Sequence, residues 1–154
     1  MDSYYPESYE ASRARFLRDV ELLRPKWHSS RLESHPLTNH PSLSIDWLWA
    51  EPRVKENLVM ISTAQHGIEG FVGSAVLKIF MDEFAPRMNP ENTGLLLVHS
   101  TNPWGMKHKL RVNPNHVDLN RNFVFGGNYD PAINPDFRAL TEFLNPRRPV
   151  KELN

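Results

Sequence analysis

Leu58-Val59-Met60-Ile61-Ser62-Thr63-Ala64-Gln65-His66-Gly67-Ile68-Glu69-Gly70 decides how this chain is read. Leu58 to Thr63 is a short, largely apolar run, as expected of a strand buried on both faces. Residues 69–84 follow with helical spacing, Val72, Ala75, Val76, Ile79 and Phe80 on one side, and Pro86 stops the pattern. Gly94-Leu95-Leu96-Leu97-Val98-His99 is a second buried strand. Strand, helix and strand in this order form a βαβ unit, which predicts parallel strands joined by a right-handed crossover. In open α/β sheets, ligands bind beyond the carboxyl ends of the strands. His66 lies just past one strand and Ser100 to Trp104 just past the other, so both loops are expected on the same rim.

Outward from this unit the pattern continues in both directions. Residues 8–23 read as a helix, with Phe16, Leu17, Val20 and Leu23 at helical spacing and Pro25 at its end. Residues 27–38 are mixed and contain a short strand flanked by loop. Leu43, Ile45, Trp47 and Trp49 alternate with Ser44, Asp46 and Leu48, which predicts another strand. Pro52 and the following charged residues make a turn. Ser100 to Asn122 is a polar stretch rich in Pro and Asn, and a last helix is expected over 136–144, between Pro135 and Pro146. There is no internal repeat and no low-complexity tract. The expectation is one α/β domain over 1–154, with a mainly parallel sheet flanked by helices.

Composition narrows the function. The 154 residues are 40% hydrophobic and 23% charged, with a formal net charge of zero, the profile of a globular domain with a real core. A balanced charge makes nucleic acid and acidic membranes poor partners. The absence of cysteine excludes disulfides, thiolate metal sites and a cysteine nucleophile, so any metal must use His, Asp or Glu. No apolar stretch approaches the roughly 20 residues of a membrane span. The N-terminus has neither the basic region nor the apolar core of a signal peptide, so the expected location is cytoplasmic.

His66 and Glu69 stand three residues apart, a spacing that puts an imidazole and a carboxylate on one face of a helical turn. Both suit Zn²⁺ at roughly 2.0–2.2 Å. Gly67 and Gly70 let the chain turn tightly from strand to helix and keep the approach open. The competing reading is structural: His66 ends a strand, and Glu69 sits in the first helical turn, where the macrodipole favours it. The second polar cluster is Asn113-Pro114-Asn115-His116-Val117-Asp118-Leu119-Asn120-Arg121-Asn122-Phe123. Arg121 suits bidentate recognition of a carboxylate and Asn120 adds a donor. Asp118 is able to take the second N–H of a metal-bound imidazole and fix its tautomer. Here the structural reading is a surface loop in which Asp118 and Arg121 neutralise each other and the asparagines make turns.

Taken together, His66-Gly67-Ile68-Glu69-Gly70, Asn102-Pro103-Trp104-Gly105 and Val117-Asp118-Leu119-Asn120-Arg121-Asn122-Phe123 resemble the zinc carboxypeptidase superfamily, most closely its bacterial carboxypeptidase-like branch of unknown function. The resemblance runs from about Leu58 to Phe123. It implies a phosphorylase/hydrolase-type α/β fold holding one zinc ion. It also implies that His66 and Glu69 are the first two zinc ligands and that Asp118 orients His66. Asn120 and Arg121 would hold a terminal carboxylate, and Arg111 would polarise the scissile carbonyl. Zinc in such enzymes brings the pKa of a bound water toward about 7 for attack on an amide carbonyl, and an arginine stabilises the oxyanion.

One departure from the family pattern matters. The third zinc ligand of the family is a histidine well downstream of the Asn-Arg pair, and the general-base glutamate lies further still. No histidine follows His116 here, and Glu142 and Glu152 come too soon. The chain therefore reads as the N-terminal portion of a larger catalytic domain, with an unpaired sheet edge or an exposed apolar face expected. His99 is the best internal substitute for the missing ligand, although a structural role suits it better. His108 and His116 flank the substrate loop, and His28, His35 and His40 have no spacing partner. Trp47 and Trp49 read as sheet-face packing, and Arg147-Arg148 as a solvated end. The resemblance implies hydrolysis of an amide bond beside a free carboxylate, on a small peptide or on an N-acyl amino acid as in aspartoacylase-type deacylases. A fragment without turnover, a carboxylate-binding remnant, is the alternative, as is an ordinary α/β domain in which His66, Glu69 and Asp118 do not converge.

Overall fold

A two-residue turn at Thr38 and Asn39 folds strand β1 (Ser29–Leu37) back along strand β2 (His40–Glu51), so the two pair antiparallel from Ser29 opposite Glu51 to Leu37 opposite His40. The register shifts between Pro36 and Leu37, where proline has no N–H to give the ladder. Strand β3 (Asn57–Ser62) leads into helix α2 (Gly70–Ile79), and strand β4 (Thr93–His99) returns parallel to β3, Ile61 opposite Leu97. β4 also pairs antiparallel with β2, giving the order β1-β2-β4-β3. The computed structural model describes residues 4–121 together with 139 and 140. These elements belong to the first of two compact units, Met1–Arg121 and Asn122–Asn154. Apart from Ala139 and Leu140, the helix expected over 136–144 lies outside the described residues, as do Asn122, Phe123, Glu142, Arg147, Arg148 and Glu152.

The α/β class and the βαβ unit are as expected, but among the described residues only β3 and β4 pair parallel, where a mainly parallel sheet was expected. The physical reason is connection length. A hairpin turn can only return a strand antiparallel, whereas the helical crossover is long enough to bring β4 back alongside β3. No helix among the described residues is long and apolar enough to cross a membrane.

The core lies between one sheet face and two helices. Helix α1 (Tyr9–Leu23) starts at Ser8, whose hydroxyl accepts the Ala11 N–H, and buries Phe16, Val20 and Leu23. These pack with Leu48, Ala50, Leu95 and Leu97 of the sheet and with Leu77 and Met81. The buried face of β2 is therefore Ser44, Asp46, Leu48 and Ala50, while Ile45, Trp47 and Trp49 are half-buried on the other face. Asp46 tolerates full burial because Arg13 from α1 forks onto it, Nε to Oδ2 at 2.8 Å and Nη2 to Oδ1 at 3.0 Å.

Two burial expectations need correction. β3 is not buried on both faces: Val59 and Ile61 reach the core, but Leu58 and Met60 are exposed, because β3 ends the sheet and no described element covers its outer face. In α2 the buried stripe is Gly70, Ser74, Ala75 and Leu77, continued by Met81, whereas Val72 and Val76 face outward. That stripe keeps helical spacing, but its small members carry little hydrophobic signal in the sequence. The last part of the expected helix is a π turn, Phe80–Phe84, followed by a 3-10 turn ending at Arg87.

Candidate functional site

Beyond the sheet, the ends of β3 and β4 stay in contact. Thr101 N–H donates to Thr63 O at 2.9 Å and Asn102 N–H to Ala64 O at 2.9 Å, so the two loops share one rim, as expected. A short helix α3 (Pro103–His108), inside the stretch expected to be loop, begins there, with Asn102 as N-cap and Pro103 in its first turn. An Asn-Pro pair is a recognised helix-start signal, and the reading of this stretch as loop passed over it. Among the described residues, four other than glycine have left-handed backbone: Ala64, Ser100, Lys109 and His116. All lie in these loops, two of them two residues before His66 and Asp118. Such backbone costs energy and collects where surrounding contacts hold a functional geometry.

The loops bring His66, Glu69, Asp118 and Arg111 together. His66 is largely buried, with its Nε2 3.1 Å from Asp118 Oδ1 and its Nδ1 3.0 Å from Glu69 Oε2. Arg111 Nε donates to Asp118 Oδ2 at 2.9 Å, and the Asn120 backbone N–H donates to Asp118 Oδ1 at 2.9 Å. The hydrogen bond from Arg111 lowers the Asp118 pKa, the Asn120 N–H and His66 assist against a small desolvation cost, and the carboxyl is held at about 2. Asp118 is thus an acceptor only at neutral pH, and His66 Nε2 carries the proton in their contact.

That tautomer turns the lone pair of a neutral His66 Nδ1 toward the Glu69 carboxylate. Two acceptors 3.0 Å apart require a cation between them, either a proton on Nδ1 or a metal ion. The donor set, one imidazole nitrogen and one carboxylate with a second carboxylate behind the ring, fits zinc. Among the described residues there is no group of three or more His, Asp or Glu side chains able to hold a metal ion. His99 does not supply the missing ligand. It is fully buried beneath α1, its Nε2 2.8 Å from Ser12 Oγ and its ring stacked on Phe16. His108 stacks on Trp104, with ring centroids 4.4 Å apart, and His116 sits on an exposed turn. Arg121 lies exposed at the end of a 3-10 turn, Leu119–Arg121, with Nη1 donating to Asn120 O at 3.1 Å. The structure joins Asn120 to the cluster through its backbone, and no hydrogen bond links the Arg121 side chain to His66 or Glu69 among the described residues.

A family model described as a protein of unknown function (DUF2817) matches residues 5–153. No curated protein matches the chain. Among solved structures, carboxypeptidase A from Helicoverpa armigera is similar with a TM-score of 0.60 at 18% identity, covering 84% of this chain and 37% of that one. A putative carboxypeptidase A from Shewanella denitrificans gives a TM-score of 0.55 at 20% identity, covering 90% and 38%. A metallo-carboxypeptidase from Burkholderia cenocepacia gives 0.53 at 21% identity, covering 77% and 33%. The chain spans 33% to 38% of the length of these structures, and the likeness shows that its α/β fold is zinc carboxypeptidase-like.

Proposed function

We propose that this chain, which belongs to the DUF2817 family, carries the first part of the site of a zinc-dependent hydrolase that cleaves an amide bond beside a free carboxylate. The observation that carries this reading is the position of His66 between Asp118 and Glu69, 3.1 and 3.0 Å away, which brings an imidazole nitrogen against a carboxylate oxygen with a second carboxylate behind the ring. In this reading His66 and Glu69 hold the zinc. Bound zinc supplies Lewis acidity, polarising a carbonyl oxygen and acidifying water.

The protein's own residues do the rest. Asp118 fixes the tautomer and ring angle of His66. Arg111, anchored to Asp118 through Nε, presents positive charge beside the site for a developing oxyanion. In this reading Asn120 and Arg121, exposed on the same loop, would receive the substrate's free carboxylate. A small peptide and an N-acyl amino acid both offer that carboxylate, so carboxypeptidase and deacylase chemistry draw on the same residues.

A second reading has its own support: with no third metal-ligating side chain grouped at the site among the described residues, the chain alone is a carboxylate-binding module without turnover. Metal content, together with turnover of N-acyl dipeptides and N-acyl amino acids, separates the two. One zinc per chain and hydrolysis lost in His66→Ala support the hydrolase. Absence of hydrolysis, with or without bound zinc, supports the binding module, and no zinc at millimolar supply sinks the hydrolase.

A further inference from the structure

Asn102 has no chemistry assigned to it, yet it is buried and each of its four polar groups is engaged. Its N–H donates to Ala64 O at 2.9 Å, and its carbonyl accepts from Met106 N–H at 3.0 Å. Its side-chain Oδ1 accepts from Gly105 N–H at 2.9 Å, and Nδ2 donates to Arg111 O at 3.4 Å. One residue thus touches the loop that carries His66, the start of α3 and the backbone of Arg111.

Close glycine packing seals the junction. A Cβ on Gly105 would lie 2.4 Å from Asn102 Nδ2 and 2.8 Å from Leu110 O, and a Cβ on Gly67 would lie 1.8 Å from Gly105 C. The loops therefore meet backbone to backbone, and Gly67 N–H donates to Leu110 O at 3.0 Å. Any movement of the Leu110–Arg111 backbone is passed to Gly67 on one side and, through the Arg111 side chain, to Asp118 on the other.

We propose that Asn102 is a positioning residue for this site: its carboxamide sets the Leu110–Arg111 backbone and, through it, the chain Arg111–Asp118–His66. Only an amide fills both roles, because Oδ1 accepts from Gly105 while Nδ2 donates to Arg111 O. A carboxylate or a serine hydroxyl preserves the helix cap but cannot accept and donate at those two places together. The geometric claim stands on the contacts just described, and its importance for catalysis rests on the zinc hydrolase reading.

The test uses the full 154-residue chain, Asn102→Asp and Asn102→Ser, with amide hydrogen exchange read residue by residue. Losing one hydrogen bond should reduce protection of the Gly67 and Asn120 amides about five- to tenfold relative to Leu97 in the central strand, while Gly105, still capped, keeps its protection. Unchanged ratios at Gly67 and Asn120 overturn the proposal. So does an equal loss at Gly67, Gly105, Asn120 and Leu97, which is the mark of a merely structural residue. If Asn102→Asp does not fold, Asn102→Ser decides alone, and failure of both to fold overturns a specific positioning role. Zinc affinity by chelator competition on the same samples separates the two claims. A wild-type chain that takes no zinc defeats the hydrolase reading, while the exchange pattern still judges Asn102.

Discussion

Asp118 Oδ1 stands 3.1 Å from His66 Nε2, on the opposite side of the ring from Glu69, so a single carboxylate decides which imidazole nitrogen is free to bind a cation. Asp118→Asn keeps the shape and removes the charge. Loss of the partner behind a metal-bound imidazole typically costs 10–100-fold in metal affinity. A drop of roughly that size is expected for zinc by chelator competition. Equal affinities in the two proteins would show that His66 needs no orienting acid.

The same carboxylate has a defined acid limit. Its folded pKa of about 2 lies below the ordinary aspartate value of 3.8, so its contribution to the fold is complete above about pH 4 and is lost as pH falls through 2. Carboxyl carbon shifts of Asp118 should therefore titrate well below those of an exposed aspartate. Arg111→Ala should move that titration upward, because the Arg111 hydrogen bond is the largest cause of the depression.

Asp46 gives the larger effect on stability. Burial raises its pKa, but hydrogen bonding from Arg13 and Ser34 and the nearby His99 imidazole outweigh burial and hold it well below the usual range. A depressed carboxyl stabilises the fold above its unfolded pKa and gives that stability up as pH falls. The thermal midpoint should decline below about pH 4, and Asp46→Asn should flatten that decline. At pH 7 the same change leaves Arg13 without its partner and should cost about 3 kcal/mol, the low end for a broken buried pair because Arg13 is partly exposed. Urea unfolding at pH 3 and pH 7 measures both effects.

Gly67 and Gly70 were legible as turn glycines, but nothing local marks Gly67 as lying against Gly105, 38 positions on. With Gly67→Ala, a Cβ 1.8 Å from a backbone carbon must push the loops apart. The expected cost is about 2–3 kcal/mol, toward the upper end for forced overpacking, with weaker zinc binding because His66 rides on the displaced loop. Gly73→Ala is the control. Its Cβ would meet only the Thr63 side chain, at 3.0 Å, and α2 gains helix propensity.

What could be read from the sequence followed how local each signal is. The βαβ unit shows in runs of adjacent residues, and β3, α2 and β4 fall where the periodicity places them. The grouping of His66, Glu69 and Asp118 was expected from a resemblance in spacing and order, and the structure brings the three within hydrogen-bond distance. Asn102 was not, since its work is done by one buried amide contacting three segments, and asparagine in a Pro-rich stretch reads as turn. The buried face of β2 was also hidden. Ser44 and Asp46 look like the wet side of a strand until Arg13 arrives from α1 to neutralise the carboxylate. Face assignments depend on partners distant in sequence, and periodicity alone supplies the spacing without the direction.

Helix α2 offers the sharpest test of that distinction, because Val76 and Leu77 are neighbours with equal claims to the core by hydrophobicity. Val76 is 56% exposed and Leu77 1%. Leu77 packs with Phe16, Leu48 and Leu97, so Leu77→Ala should remove about 2–5 kcal/mol, the range for a buried Leu truncated in a core that relaxes only partly. Val76→Ala should stay within about 0.5 kcal/mol of wild type, as surface changes do, and the better helix propensity of alanine offsets the lost contact. Chemical denaturation of the two variants side by side gives the answer. A large loss from Val76→Ala would mean that the outer face of α2 is covered in the folded protein, whereas a small one leaves that face bare.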